Sequence, residues 1–324
     1  MFRTEFTIGV SSTKLNHQNK ILTIGSCFSQ VIGERLLQNK FDVLVNPFGT
    51  IFNPISIFKL LKNALLNDFE TIDAAVENHG VWFNYHVHSE LYGSTKEVLN
   101  SKLKGKLQQV NDVIKQTDFL IITFGTAFIY KLKSTNEVVA NCHKVSGNNF
   151  DKELLTVKEI SNSCIDFIQQ ANVYNPKLKI ILTVSPVRHT KDSILLNSVS
   201  KSVLRLACHE LSEQFSEILY FPSYEIMMDD LRDYRFYKED MIHPTEVAEN
   251  YIWNKFSDAY FEEKTKEIIK EWESVFKALQ HKPFHIESAE YRKFLTGTMN
   301  RLELLKEKID VRKEIESLRI KLAY

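Results

Sequence analysis

The 324-residue chain has no excess of charge of either sign and no long hydrophobic run. Its 41 lysine and arginine residues balance 41 aspartate and glutamate residues. Without net charge, no global field favours binding to nucleic acid or to an anionic membrane surface. No apolar stretch reaches the roughly 20 residues of a membrane-spanning helix, and residues 1–10 lack the basic and then apolar pattern of a secretory leader. The sequence therefore predicts a cytoplasmic protein with neither nucleic-acid nor membrane partners.

Cysteine is scarce, and the histidines show no helical metal-binding pair. The four cysteines are at positions 27, 142, 164 and 208. They form no CxxC pair, and none of them are spaced as the ligands of a compact metal site. A chain of this size can bury its own core, so we expect free thiols and not disulfides. No two of the candidate histidines His86, His88, His143 and His189 lie at HxxxH spacing, and His86-x-His88 is more typical of strand packing than of a metal site. We predict no metal and no cofactor; a zinc hydrolase using these histidines with Cys142 or Asp240 is the least favoured alternative.

Strands alternate with helices from residue 20 to about residue 258, without internal repeats or low-complexity linkers. Apolar, β-branched runs predict buried strands at 21–24, 41–45, 118–124, 179–184 and 219–222. Amphipathic segments predict helices near 29–39, 53–65, 95–116, 156–172 and 198–215, the second of them with Asn53 and Pro54 as its cap and first turn. Such alternation is typical of a parallel, doubly wound α/β sheet.

Two shorter features interrupt this alternation. Residues 82–88 alternate well enough for a short strand, which would place His86 and His88 on one face. Residues 128–133 and 137–140 predict a hairpin that leads directly to Asn141.

From about residue 259 the chain becomes helical and rich in charge. We therefore predict a domain over 20–258 and a helical extension over 259–324. Within the segment 300–322, apolar residues recur near heptad spacing, at Leu302, Leu305, Ile309, Ile315, Leu318 and Leu322. Such a stripe fits a helix through which the protein forms a homo-oligomer, and it fits equally a helix packed on its own domain.

The stretch 21–33 carries the strongest indication of chemistry. An apolar run ends at Gly25, Ser26 and Cys27 follow, and a helix begins near Ser29. A parallel strand delivers such a turn to the carboxyl edge of the sheet, where the helix N-terminus favours a thiolate or an oxyanion. The structural alternative is that Ser26 and Ser29 cap the helix and Cys27 fills the core. The turn alone favours neither interpretation.

Asp240 and His243 form a second candidate group, just before a predicted helix. An acid three residues before a histidine can accept the Nδ1 proton of the imidazole and leave Nε2 free to take a proton from a nucleophile. Taken by itself, the pair is more often a helix-capping aspartate beside an exposed histidine.

The order of these features resembles the GSCFA family, named for a motif present here as Gly25-Ser26-Cys27-Phe28-Ser29, within the SGNH/GDSL hydrolase superfamily. The resemblance covers about residues 20–258 and includes the stretches 46–50 (NPFGT), 141–144 (NCHK), 185–189 (SPVRH), 235–237 (RFY) and 240–244 (DMIHP). It implies a three-layer α/β/α, flavodoxin-like fold with about five parallel strands, followed by the C-terminal helical extension.

The resemblance also implies hydrolysis or transfer of an ester or thioester acyl group through a covalent acyl-enzyme. Aligning the superfamily's Gly-Asp-Ser elbow with this chain places the nucleophile at Cys27, whereas a one-residue slip would place it at Ser26. His243 would act as general base and then acid, oriented by Asp240. A cysteine nucleophile favours transfer or thioester exchange over simple ester hydrolysis. The partner would be a small-molecule or carbohydrate-linked acyl substrate.

The superfamily's oxyanion hole is matched only in part. Beside the nucleophile's own N–H, Gly49 fits the glycine donor after the second strand. The superfamily's third donor is the asparagine of a Gly-x-Asn motif, but the sequence has Gly125-Thr126-Ala127, so Thr126, Asn141 or no group supplies it. Loss of one donor costs on the order of a hundredfold in turnover. A second hypothesis is therefore a binding module that keeps the carbohydrate or acyl pocket with little turnover.

Seven residues are candidates for holding the substrate: Asn46, His86, Asn141, His143, Lys144, Arg188 and His189. Lys144 and Arg188 could bind a carboxylate or phosphate, although a surface salt bridge is the default interpretation of such residues. We expect the pocket walls to come from the loops 77–93, 126–150 and 186–197, because binding residues concentrate on loops.

Overall fold

The structure, a computed structural model, describes residues 4–5, 7–191 and 193–323. Its internal contacts divide the chain into two units. Unit 1 comprises Met1–Ile8, Lys20–Glu34 and Val43–Lys255, and unit 2 comprises Gly9–Asn19, Arg35–Asp42 and Phe256–Tyr324. The domain boundary between residues 258 and 259 stays a prediction.

The elements follow the alternation expected from the sequence. The strands are β1 (Lys20–Gly25), β2 (Asp42–Val45), β3 (Ala75–Asn78), β4 (Val81–Asn84), β5 (Phe119–Phe124), β6 (Phe128–Leu132), β7 (Glu137–Val139), β8 (Phe150–Leu154), β9 (Lys179–Val184) and β10 (Ile218–Phe221). The helices are α1 (Cys27–Gln38), α2 (Pro54–Leu66), α3 (Lys96–Ile114), α4 (Val157–Tyr174), α5 (Ile194–Gln214), α6 (Ser223–Glu225), α7 (Glu246–Tyr260), α8 (Glu263–Gln280), α9 (Ala289–Leu305) and α10 (Arg312–Ala323). Short 3-10 turns cover Glu70–Ile72, Gly147–Asn149 and Tyr234–Phe236, and a π-helical turn covers Ile226–Asp230.

Five strands form a parallel central sheet in the order β2-β1-β5-β9-β10. Numbered along the chain, this order is 2-1-3-4-5, which is the flavodoxin-like arrangement. The register aligns Gly25 with Thr123, and Thr123 with Thr183, so these strands reach their carboxyl ends together. The predicted fold class is confirmed.

Each face of the sheet meets a different layer. Leu22, Ile24 and Ile122 pack into one apolar core with the buried residues of α2, α3, α4 and α5. Thr23 lies between Leu22 and Ile24 on β1, so its side chain points to the opposite face of the sheet. Helix α1 approaches this face closely, since a Cβ on Gly33 would lie 2.8 Å from Thr23 Oγ1. The glycine therefore allows α1 to pack against β1, and the sheet lies between two helical layers.

Two small antiparallel sheets lie in the connections, one formed by β3 and β4 and the other in the order β7-β6-β8. The predicted hairpin at 128–140 is confirmed as β6 and β7. The predicted strand at 82–88 is wrong beyond Asn84. The Asn84 side chain accepts the His86 N–H at 2.8 Å, and the backbone carbonyl of Asn84 accepts the Val87 N–H at 3.2 Å. These bonds close a turn, so His86 and His88 do not share a strand face.

Unit 2 has its own apolar core among α8, α9 and α10. Its buried members are Trp272, Val275, Leu295, Leu302, Leu305, Ile309, Val311, Ile315 and Leu318. The expectation of one helical segment over 300–322 is wrong, since α9 ends at Leu305 and α10 begins after Asp310, whose carboxylate accepts the Arg312 N–H at 3.1 Å. Most of the heptad-like stripe is thus buried within unit 2, and self-association through it stays a prediction. No helix in the described part of the chain is both long enough and apolar enough to cross a bilayer.

Candidate functional site

The turn between β1 and α1 requires glycine at its first position. Gly25 has a φ of +139°, and a Cβ there would lie 2.2 Å from the Thr123 carbonyl oxygen. That carbonyl instead accepts the Ser26 N–H at 3.0 Å. The close approach ties the turn to β5 and presents the next residues at the carboxyl edge of the sheet.

Helix α1 begins at Cys27, earlier than the predicted start near Ser29. Ser26 is therefore the residue before the helix; it is fully buried, and its hydroxyl accepts the Phe28 N–H at 3.3 Å. Ser26 thus has the geometry of a helix cap. Cys27 is half-buried at the first helical position. Of the two adjacent side chains, Ser26 is therefore closed to solvent and Cys27 is partly accessible.

Several influences act on the Cys27 thiol. Burial raises its pKa, and the charge of Glu249 acts in the same direction. The charge of Lys201 and the backbone N–H groups of Cys27 and Phe28 act against this rise. Because the N–H groups belong to the first turn of α1, the helix terminus favours the thiolate, as expected.

Lys201 is a functional candidate that the sequence reasoning missed. This residue of α5 is only 1% exposed, and its ammonium group donates to the carbonyl oxygens of Gly125 and Ser185, both at 2.8 Å. Burial lowers its pKa to about 7, while the Cys27 thiolate raises it. The signal was present in the sequence: Lys201 falls at helical spacing from the apolar, buried Leu204, where a charged residue is unusual.

Asp240 and His243 form the predicted pair. The Nδ1 of His243 lies 2.7 Å from Asp240 Oδ2, and Asp240 Oδ1 accepts the N–H groups of Ile242 and His243 at 2.8 and 2.9 Å. The backbone and side chain of His243, followed by the backbone of Ile242, lower the pKa of Asp240 to about 2. The ionised carboxylate only accepts, so a neutral His243 carries its proton on Nδ1 and has Nε2 as an acceptor.

Backbone hydrogen bonds hold this loop to the segment that follows β9. The Arg188 N–H donates to the Ile242 carbonyl at 3.3 Å, and the Ser185 carbonyl just before Arg188 accepts Lys201. Lys201 in turn acts on Cys27. The structure therefore brings the nucleophile turn and the Asp240–His243 loop to the same edge of the sheet, although more than two hundred residues separate them in sequence.

The predicted oxyanion donors already have acceptors within the protein. The Gly49 N–H donates to the Asn46 carbonyl at 2.8 Å, and the N–H groups of Gly125 and Thr126 donate to the Phe52 carbonyl at 2.8 and 3.1 Å. An oxyanion role for these groups would require those bonds to break. Their role stays a prediction.

The Thr126 hydroxyl has partners too. It lies 3.0 Å from the Ser200 hydroxyl and accepts the Phe128 N–H at 3.0 Å. Ser200 also accepts the Ala127 N–H at 2.8 Å. The segment in which the superfamily carries its asparagine is thus held by Ser200 and Lys201 of α5.

Asn46 presents a buried amide at the end of β2. The residue is 6% exposed, and neither its amide oxygen nor its nitrogen has a hydrogen-bond partner among the residues that the structure describes. Its backbone N–H donates to the Thr23 carbonyl at 2.9 Å, which places it beside β1. A buried amide without partners costs free energy, and such a group is well suited to a polar ligand.

His143 and Asn141 use their polar atoms inside the protein. The two ring nitrogens of His143 bond Ser89 Oγ at 3.1 Å and the Asn84 carbonyl at 2.7 Å. Asn141 accepts the His143 N–H at 2.9 Å and donates to the Ser89 hydroxyl at 3.2 Å. Burial lowers the pKa of His143. The geometry is that of a packed, neutral histidine, and substrate binding by the pair stays a prediction.

His86 is buried beside Lys59 of α2. Its Nε2 lies 3.3 Å from Lys59 Nζ, and Lys59 also pairs with Glu137 at 3.2 Å. Burial, with a smaller contribution from Lys59, lowers the pKa of His86 to about 4. Within the described ranges, no three histidine, cysteine, aspartate or glutamate side chains are grouped so that they could hold a metal ion.

A cavity of about 550 Å³, called here the aromatic cavity, collects most of the predicted substrate residues. It is lined by five residues singled out from the sequence, Thr126, Asn141, His143, Lys144 and His189, and by four aromatic residues, Phe52, Phe128, Tyr130 and Phe150. The walls come mainly from the 126–150 loop and partly from the 186–197 loop, of which residue 192 lies outside the described residues.

Arg188 lies elsewhere. Its guanidinium stacks over the rings of Tyr237 and Tyr234, at 4.1 and 5.6 Å from their centres. It lines a separate cavity of about 310 Å³ together with Asp229 and Asp233. Arg232 lines the same cavity, so the structure places Arg188 among charges of both signs, apart from the other predicted substrate residues.

Comparisons with known proteins assign the family. A family model described as the GSCFA family matches residues 20–256, and one described as the C-terminal domain of GSCFA domain proteins matches residues 272–324. No curated protein matches the sequence. A solved carbohydrate esterase family 3 protein from Talaromyces cellulolyticus aligns over 78% of this chain and 98% of its own, with 10% identity and a TM-score of 0.36, a likeness too low to support a conclusion. Because the first family model covers most of the chain, this protein belongs to the GSCFA family.

Proposed function

We propose that this protein is an esterase-like hydrolase or acyltransferase that forms a covalent acyl-enzyme on Cys27, with His243 as its general base and Asp240 orienting the imidazole. The observation that supports this most is the 2.7 Å bond between His243 Nδ1 and Asp240 Oδ2, formed at the sheet edge that also carries the half-buried thiol. A nucleophile, a base and an orienting acid are the parts that acyl transfer needs.

Cys27 is a better nucleophile candidate than Ser26 for a geometric reason. The Ser26 hydroxyl is fully buried and accepts the Phe28 N–H, so attack by Ser26 would break a helix cap. The Cys27 thiol is half-buried at the N-terminus of α1, where the helix favours its ionised form.

The proposed reaction has two stages. The Cys27 thiol gives its proton to His243 Nε2 while the sulfur attacks the acyl carbon, and the tetrahedral oxyanion collapses as the leaving alkoxide or thiolate takes that proton. Water, or an acceptor hydroxyl or thiol, then loses a proton to Nε2 and attacks the thioester, which releases the acyl group and restores the thiol. Because a thiolate leaves readily, transfer to an acceptor competes well with hydrolysis.

Electrostatic support for the oxyanion would come from groups other than the predicted glycines. The Cys27 N–H lies at the start of α1, the Asn46 amide is buried without partners among the described residues, and the Lys201 charge acts on Cys27. A buried positive charge and a preorganised amide stabilise developing negative charge more strongly than water does.

Acylation of the full-length protein tests this proposal. We expect incubation with an activated ester or an acyl thioester to add one acyl group, which peptide mapping by mass spectrometry places on Cys27. Cys27→Ala should abolish the adduct, whereas Ser26→Ala and the control Cys142→Ala should keep it. An adduct on Ser26, or an adduct that survives Cys27→Ala, would contradict the assignment of the nucleophile.

A binding module with little turnover is the second candidate, because the N–H groups of Gly49, Gly125 and Thr126 are all engaged in backbone hydrogen bonds. Such a module would bind small-molecule or carbohydrate-linked acyl compounds without forming an adduct. Saturable binding of an acyl compound, together with no acylation of Cys27 above that of denatured protein, would favour this candidate.

A further inference from the structure

One wall of the aromatic cavity is a face of the sheet that contains β6 and β8, and it is called here the cavity face. Phe128 and Tyr130 of β6 and Phe150 and Lys152 of β8 all line it, and Tyr130 is paired directly with Lys152. Residues two apart on a strand share a face, so this face of the three-stranded sheet combines aromatic rings with a positive charge. The Lys152 ammonium lies 4.4 Å from the centre of the Phe128 ring.

The two acidic residues of β8 lie on the other face of this sheet. Asp151 and Glu153 alternate with Phe150 and Lys152 along β8. Each is paired with a lysine of β6 or of the turn after it, Glu153 with Lys131 and Asp151 with Lys133. Alternation therefore places Asp151 and Glu153 on one face and Lys152 on the cavity face.

Lysines from two further segments also line the cavity. Lys144 follows the His143 turn, and Lys191 belongs to the loop after β9. Burial raises the pKa of the Cys142 thiol in the cavity wall, and the Lys191 charge opposes that rise. Lys191 is therefore close enough to act electrostatically on a group that lines the cavity. Among the described residues that line the cavity there is no aspartate or glutamate.

We propose that the aromatic cavity binds a ring-bearing anion, meaning a sugar or aryl ring that carries a carboxylate, phosphate or sulfate group. The aromatic side chains offer flat apolar surfaces for the ring, and the lysines attract the anion. The inference rests on the proposed function in that this ring would be the part of the acyl substrate that does not react. The His189 imidazole joins the cavity to the end of β5, since a Cβ on Gly125 would lie 3.2 Å from His189 Nε2.

Binding to full-length Cys27→Ala protein tests the inference without requiring turnover. The probes are two matched sets: benzoate and phenyl phosphate against benzyl alcohol, and methyl glucuronide against methyl glucoside. Calorimetry should show that the anion of at least one set binds about tenfold more tightly than its neutral partner, as expected for charge-assisted contacts. The preferred set distinguishes an aryl ring from a sugar ring.

Two lysine variants assign the binding to the cavity. Lys152→Gln removes a charge from the cavity face and should weaken binding of the preferred anion about tenfold. Lys133→Gln removes the same charge from the opposite face of the same three-stranded sheet, where Lys133 pairs with Asp151, and should leave the affinity unchanged. Equal affinities for anionic and neutral probes, or equal effects of the two variants, would overturn the inference.

The two proposals can fail separately. If the anion binds in a Lys152-dependent manner but Cys27 is never acylated, the cavity assignment stands and the catalytic proposal fails. If Cys27 is acylated equally by neutral and anionic donors and no probe distinguishes the charges, the catalytic proposal stands and the cavity assignment fails.

Discussion

At the scale of single residues, Lys201 places a buried positive charge where it acts on the Cys27 thiol. An ammonium group held between two carbonyl oxygens at 1% exposure loses its hydration, which is costly. Its charge opposes the effect of burial on the Cys27 thiol. The groups that act on this thiol are Lys201 from α5, Glu249 from α7 and the N–H groups that begin α1.

We predict that Lys201→Met slows alkylation of Cys27 below pH 7, where Lys201 carries its positive charge. Removal of this charge disfavours the thiolate, so iodoacetamide at about pH 6 should modify Cys27 about tenfold more slowly in the variant than in the wild type. Lys158→Met, which removes an exposed lysine from α4, is the matched control and should leave the rate unchanged. An equal rate in Lys201→Met and the wild type would show that the charge does not act on the thiol.

The stability of the wild-type protein depends on pH through Lys201. Burial lowers the pKa of Lys201 from 10.5 to about 7, so between these values the unfolded chain binds more protons than the folded one. The free energy of unfolding contributed by this residue therefore rises with pH across that window and falls as pH drops toward 7. Lys201→Met should lack this rise in denaturant titrations, and a rise equal to that of the wild type would contradict the burial of a titrating ammonium.

At the scale of elements, the turn from β1 to α1 sets the position of the nucleophile. Gly25 lies against β5 with a positive φ, and Ser26 caps the helix that begins at Cys27. Helix α5 supports the neighbouring strand end through Ser200 and Lys201. The nucleophile's part of the site is thus built from strand ends and helix ends, which hold side chains more rigidly than free loops do, whereas Asp240 and His243 lie on a loop.

We predict that Gly25→Ala damages this turn. The new Cβ would lie 2.2 Å from a backbone oxygen of β5 at a φ of +139°, so the strand or the turn must shift. We expect a loss of unfolding free energy of about 2 kcal/mol or more and weaker acylation of Cys27. Gly105→Ala in helix α3, where nothing lies within 4 Å of the added Cβ, is the control and should be neutral or stabilising. Equal melting temperatures for the two variants would contradict the role assigned to Gly25.

At the scale of the whole molecule, the sequence predicted what depends on local pattern. Apolar strand runs alternating with amphipathic helices predicted the parallel sheet, and the alternation at 128–140 predicted the β6–β7 hairpin. Strand β8 was missed because four of its five residues are exposed and only pairing with β6 makes it a strand. For the aromatic cavity, the sequence predicted only that loops would form its walls. The cavity face was not predicted, because it arises from the pairing of β6 with β8.

The positions of polar groups depended still more on tertiary structure. Lys201 lies on an apolar helical stripe, and nothing local indicates that two strand ends supply its acceptors. Gly125 and Thr126 were predicted as oxyanion donors from the motif, but the Phe52 carbonyl, far away in sequence, takes both N–H groups. In contrast, Asp240 and His243 lie three residues apart, and their bond could be predicted because it is local.

The central claim is that His243 activates Cys27, and the rate at which an activated ester acylates Cys27 tests it most directly. The rate is measured in the wild type and in His243→Gln, with His209→Gln on α5 as the control. General base catalysis of this kind contributes about a hundredfold or more, so we predict a loss of at least that size in His243→Gln and none in His209→Gln. Equal rates of Cys27 acylation in the wild type and His243→Gln would contradict the claim.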